Sequence, residues 1–208
     1  ALLGMVRDNT ALVSVMAVNN EVGVAQPIVE LSVAPKKWKL HVDAVQSGLL
    51  GWPDLKGIDM LSVSAHKLGG PVGSGCLFLR QGLRLAPLLV GGAQEDHRRA
   101  GTSNVIAALA LAEAMEVTAR RREEESASIG ALRNQLEAGL SRISGAVRLG
   151  DRRSPHISSW FFEGLRAEPL LVLFDLEGIS VSSGSACSSH SIEPSRVVSA
   201  MGFSPEQA

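Results

Sequence analysis

Cysteine is nearly absent from this chain. Its 208 residues hold two, Cys76 and Cys187, which excludes a disulfide scaffold and fits a reducing, cytoplasmic setting. An excess of charge of one sign is also missing: 20 Lys+Arg against 21 Asp+Glu leave a formal net charge of -1. The basic footprint of a nucleic-acid binder is therefore not there. No uninterrupted apolar run reaches the roughly 18 residues of a membrane span, and the first residues lack the layout of a secretory leader. Two distant cysteines and scattered histidines match no zinc spacing, so no metal site is expected. What the chain does have is 45% hydrophobic and 20% charged residues, enough to bury a core and unlike a disordered segment.

Along the chain, residues 10–18 (TALVSVMAV) are β-rich and nearly all apolar, the pattern of a strand buried on both faces. Residues 27–34 fit a short helix with Pro27 in its first turn. Residues 39–45 (KLHVDAV), 60–64 (MLSVS) and 76–80 (CLFLR) read as further short strands. Such alternation predicts an α/β architecture. From Thr102 the character changes. Thr102 or Ser103 can cap a helix, and helix-forming sequence runs to about Ile143. Ile129, Leu132, Leu136, Leu140 and Ile143 form one apolar stripe within it. A helix of about 40 residues would span about 60 Å, so a break or a bridge is expected there. Its RRREEE run, residues 120–125, reads as a solvated face. A strand at 157–162, a helix at 168–177, a strand at 179–181, a Ser-rich loop and a last helix opened by Glu193 and Pro194 follow. The expected division is a large domain over 1–118, and a bridging helix with part of a small α+β domain over 119–208.

Polar clusters interrupt the strand ends, where open α/β sheets place ligands. They are Asn19-Asn20-Glu21-Val22-Gly23, His41-Val42-Asp43-Ala44-Val45-Gln46-Ser47, and Ser62-Val63-Ser64-Ala65-His66-Lys67-Leu68-Gly69-Gly70-Pro71. Taken singly they are an Asx turn, a cap and a solvent-facing Lys. Taken together they supply a carboxylate, amides, a His and a Lys at sheet edges.

Their order resembles the fold-type-I pyridoxal-phosphate enzymes, and within them the class V aminotransferase-like group. The stretch Gly91-Gly92-Ala93-Gln94-Glu95, continued by Arg98-Arg99-Ala100-Gly101-Thr102-Ser103-Asn104, is similar to that group's GGxQE…RRxGTxN segment. Ser182-Ser183-Gly184-Ser185-Ala186-Cys187-Ser188-Ser189, with Glu193-Pro194-Ser195, resembles the nucleophile loop of NifS/IscS-like cysteine desulfurases. The resemblance implies the PLP-dependent transferase fold type I, a mostly parallel sheet of the seven-stranded type, incomplete here. It implies pyridoxal 5'-phosphate as cofactor, L-cysteine as substrate, a homodimer and a sulfur-acceptor protein, with no nucleic-acid or membrane partner.

By the same resemblance, Lys67 holds the cofactor covalently and Asp43 keeps the pyridine nitrogen protonated. Gln46 and Asn20 reach the phenolic oxygen, Ser64 and His66 contact the phosphate, and Thr102 reaches the phosphate of the partner subunit. Lys67, His66 and Cys187 are the catalytic set. Cys187 takes sulfur from cysteine as a persulfide, and alanine is released. Selenocysteine lyase or another class V enzyme is the rival activity, and a non-catalytic remnant or sulfur-transfer partner the rival from another class. Cys76, in an apolar strand, reads as a small core residue, His41 as a satisfied sheet histidine and His97 as a surface residue. His190, three residues past Cys187, is a weak candidate base for the thiol. The group's upstream phosphate loop and ring-stacking His, and its downstream carboxylate-binding Arg, have no counterpart in this sequence. The chain is therefore expected to be a piece of a longer enzyme, and to be weakly active or inactive by itself.

Overall fold

A computed structural model describes residues 2–184 and 194–204; Cys187, His190 and Glu193 lie outside them. The chain divides into two compact units, Ala1–Val18 with Gln26–Glu123, and Asn19–Ala25 with Glu124–Ala208.

The first unit is built on a four-stranded sheet of β1 (Leu12–Met16), β2 (Lys39–Asp43), β3 (Met60–Ser64) and β4 (Gly75–Leu79), in that spatial order. β1, β2 and β3 are parallel and β4 is antiparallel. Helix α1 (Ile28–Val33) forms part of the connection that parallel β1 and β2 require. Strand alternation sorts the side chains. Val13, Leu40, Val42, Leu61 and Val63 form the buried face, and they share a core with Ile28, Leu31, Trp38, Ile58 and Leu111. Leu40, Val42 and Ile58 are fully buried, each worth about 1.5–3 kcal/mol relative to exposure. The other face carries Leu12, Ser14, Lys39, His41 and Asp43. β1 is therefore not buried on both faces: Ser14 is exposed, and Leu12 is 51% exposed. Double burial needs an apolar layer on each side, and only the Val13 side meets one among the described residues.

Cys76 is a second correction. Its strand is the sheet's edge and is exposed over Gly75, Cys76 and Leu77, so the thiol is not a core group. Partial shielding by its neighbours nevertheless pushes its pKa up.

Helix α2 (Val105–Leu140) runs unbroken for 36 residues, with the change of unit at Glu123 and Glu124 inside it. Its N-cap is Asn104, not Thr102 or Ser103: Asn104 Oδ1 accepts the Ala107 amide at 3.1 Å, the position a cap serves. The 120–125 run is largely exposed, and Arg120 pairs with Glu113 at 3.2 Å. The apolar stripe is not the buried face, because Leu132 is 65% and Leu136 54% exposed. Glu137 is buried instead.

The second unit contains the hairpin of β5 (Ala146–Arg148) and β6 (Trp160–Phe162), helix α3 (Ala167–Leu176) and helix α4 (Arg196–Ala200). Its core joins Val22, Leu149 and Val198 with Phe161 and Phe203, whose rings are 5.8 Å apart. Residues 179–181 are not a strand. Among the described residues no third strand joins the β5–β6 sheet, and the Ile179 amide closes the end of α3 on Phe174 O at 2.8 Å.

Candidate active site

The three parallel strands end on the same side of the sheet, and the polar clusters begin at those ends. Asp43 is the last residue of β2 and Ser64 the last of β3. Asp43 is in register with Ser62, two residues before Ser64. Asp43 Oδ1 accepts the Val45 amide at 3.0 Å, an Asx turn that ends the strand. Its other oxygen has no partner among the described residues. Gln46 follows in the same turn and is half-buried.

After Ser64 the chain winds into a 3-10 turn, Ala65–Leu68, with Ala65 fully buried and His66 and Lys67 exposed. Gly69, at φ 77, ends it with its amide on Ala65 O, a left-handed stop that favours glycine. Gly70 lies close to α2: a Cβ there would sit 3.2 Å from that of Ala114. The turn therefore presents an imidazole and an amine, adjacent in sequence, outward on a short, anchored segment. Ser64 Oγ and His66 Nδ1 are 2.8 Å apart, so the two residues expected to share one ligand group are already hydrogen-bonded. Lys67 makes no ion pair or hydrogen bond among the described residues.

Two other predicted residues stand on other segments. Asn20 belongs to the second compact unit, on the turn where Asn19 Oδ1 accepts the Glu21 and Val22 amides at 2.9 Å each. Thr102 is exposed, three residues before α2. Between Gln94 and Thr102 the backbone is unusual: Glu95, Asp96 and His97 all adopt left-handed angles, with φ of 51, 54 and 60. Cys187 is outside the described residues.

Three arrangements escaped the sequence reading. His41 bridges two serines across the sheet, with Nδ1 2.7 Å from Ser14 Oγ and Nε2 2.5 Å from Ser62 Oγ. His41 is thus satisfied, as expected, but its partners lie on the flanking strands, which spacing alone does not show. Glu21 receives the Ser195 hydroxyl, and Glu137 receives Arg153; both pairings join segments far apart in sequence.

An exposed amine, a hydroxyl–imidazole pair beside it and a strand-end carboxylate with a spare oxygen are a donor set chemically suited to a phosphorylated aromatic ring. The model of the aminotransferase class-V family matches residues 1–204, and the chain belongs to that family, whose members depend on pyridoxal phosphate. The chain is 43% identical to the cysteine desulfurase NifS of Azotobacter vinelandii, over 95% of this chain and 51% of that one. It is 40% identical to the cysteine desulfurase IscS of Dictyoglomus turgidum, over 97% of this chain and 53% of that one. A solved NifS-like protein superposes with a TM-score of 0.85 at 34% identity, covering 100% of this chain and 56% of the other. The fold is therefore that of the fold-type-I enzymes. The chain spans about half the length of the curated relatives it matches. No described helix is long and apolar enough to cross a membrane.

Proposed function

We propose that the protein to which this chain belongs is a cytoplasmic, pyridoxal-phosphate-dependent cysteine desulfurase. It would convert L-cysteine to L-alanine and pass the sulfur, carried as a persulfide on Cys187, to an acceptor protein of iron–sulfur cluster assembly or thio-modification. The observation that carries this reading is the Ser64–His66–Lys67 turn at the end of β3, beside Asp43 at the end of β2. When bound, the cofactor supplies an electron sink that weakens bonds at the substrate's α and β carbons.

The chain's own residues have separable tasks. Lys67 offers the amine that holds the cofactor and moves a proton at the substrate's Cα. Ser64 and His66 bind phosphate oxygens, with the 2.8 Å contact orienting the imidazole. Asp43 keeps a ring nitrogen protonated by charge pairing, while Gln46 and Asn20 donate to the ring oxygen. Thr102 reaches the phosphate of a second subunit in a homodimer. Cys187, as a thiolate, forms a bond to the substrate sulfur. The substrate's Cβ–S bond would break with its electron pair left on the carbon side, and that fragment, once protonated, would leave as alanine.

The test is the visible absorbance and alanine release of the full-length protein. The wild type should purify with a near-visible absorbance band from the conjugated cofactor–lysine bond and release alanine from cysteine. Lys67→Ala should lose both, and Cys187→Ser should lose alanine release while keeping the absorbance. Full absorbance in Lys67→Ala would refute the assignment.

A further inference from the structure

The turn that carries Asn20 is held by chain far from it in sequence. Asn19–Ala25 belongs to the second compact unit, although it lies between β1 and α1. The turn is closed on itself: the Gly23 amide donates to Asn19 O at 3.0 Å, and the Asn19 amide to Val24 O at 2.9 Å. Its outer strand pairs with one short stretch. The Ala25 amide donates to Arg152 O at 2.7 Å and the Ser154 amide to Gly23 O at 2.8 Å, with Val24 and Arg153 as an antiparallel bridge. That stretch is gripped in turn by α2. The Arg153 guanidinium donates to both carboxylate oxygens of Glu137, at 2.6 and 2.8 Å, and Arg133 donates to Ser154 O at 3.0 Å. Arg133 and Glu137 stand one helical turn apart, on one face of the helix. The Arg153 side chain is 5% exposed and Ser154 is fully buried, which keeps water from replacing these bonds.

We propose that Glu137 is a positioning residue that, through Arg153, fixes the turn carrying Asn20 and so sets where the Asn20 side chain stands. A bidentate guanidinium–carboxylate pair fixes direction as well as distance, and a group that contacts a reacting ligand is sensitive to small misplacements made far from the chemistry. The link from Asn20 to catalysis rests on the desulfurase reading; the clamp itself does not.

The first experiment is amide hydrogen exchange of the full-length protein, read at single residues. Ala25 and Ser154 report the clamp. Ala17 and Ala44, whose amides bond Asp43 O and Ser62 O in the first unit, are the reference. Glu137→Gln should speed exchange at Ala25 and Ser154 at least about tenfold more than at Ala17 and Ala44, the mark of a local opening. Ser158→Ala removes only the hydroxyl that Glu137 also accepts, at 2.9 Å. It should give a smaller rise at the same two amides, and it decides the matter if Glu137→Gln does not fold.

The second experiment is a double-mutant cycle with Asn20 in the cofactor-loaded enzyme. Glu137→Gln should displace the near-visible band in the direction that Asn20→Ala displaces it. It should lower kcat/KM about fivefold in the wild type and less than about twofold in the Asn20→Ala background, as residues acting in series do. Equal losses in both backgrounds, or an equal rise in exchange at all four amides, would overturn the proposal. Selective exchange in a protein that releases no alanine from cysteine would keep the clamp and sink the desulfurase reading instead.

Discussion

At the scale of single residues, the most perturbed group among the described residues is a glutamate outside the candidate site. Glu137 takes both guanidinium nitrogens of Arg153, at 2.6 and 2.8 Å, and the Ser158 hydroxyl at 2.9 Å. Arg148 and Arg133 lie at 3.7 and 3.9 Å. The Arg153 hydrogen bonds outweigh the opposing cost of burial and lower the Glu137 pKa from 4.5 to about 2. A carboxyl with a depressed folded-state pKa stabilises the fold above its unfolded value, and that contribution fades as pH falls toward the folded one. Glu137→Gln should therefore cost on the order of 3 kcal/mol at neutral pH, with the difference from wild type shrinking between pH 4.5 and 2. Urea unfolding across that range measures it; a pH-independent difference would contradict the ion-pair account. This group was not legible in the sequence, where residues 129–143 showed only an apolar stripe. The placement of Asp43, Ser64, His66 and Lys67 at strand ends was legible because each belongs to a contiguous motif there. Glu21–Ser195 was not, since its partners are 174 positions apart.

At the scale of elements, five of the six expected strands and all four of the expected helices are present, with ends shifted by a few residues. Short apolar runs bounded by turn residues carry their own boundaries. Three expectations failed for physical reasons. Residues 179–181 have strand-forming side chains but no strand to pair with. The start of α2 is set by whichever side chain reaches the third amide, and Asn104 does. The stripe on α2 lost its place to a buried ion pair, which periodicity counts as polar surface. The same helix offers a clean test of helix propensity. Gly139 lies near its C-terminal end, and a Cβ there would meet no atom within 4 Å. Gly139→Ala should therefore raise stability by about 0.5–1 kcal/mol, read as a higher denaturation midpoint with an unchanged m-value. A loss of stability would mean that the position is occupied by something beyond the described residues.

For the whole molecule, the decisive feature is the apolar surface left on the larger unit. Leu88 is 94% exposed, Val72 84%, Ile106 82% and Val90 80%. Single exposed apolar side chains are ordinary; these four lie on the larger unit, and the proposed homodimer offers one cover for them. Thr102, also exposed, lies in sequence between Val90 and Ile106, and its proposed task is to reach the phosphate in a second subunit. Dimerisation and cofactor retention should then be linked, since a group that binds only in the assembled state stabilises the assembly by mass action. In the full-length protein, replacing Leu88 and Val90 together by Asp should weaken the dimer at least tenfold, because each buried charge must be desolvated without a partner. Sedimentation velocity across a concentration series reports that loss. Cofactor absorbance after dialysis should fall with the dimer fraction, and Thr102→Ala should lower cofactor retention while leaving sedimentation unchanged. A monomer that keeps its cofactor as firmly as the dimer would remove Thr102 from the site, leaving Ser64, His66 and Lys67 to hold the phosphate end within one chain.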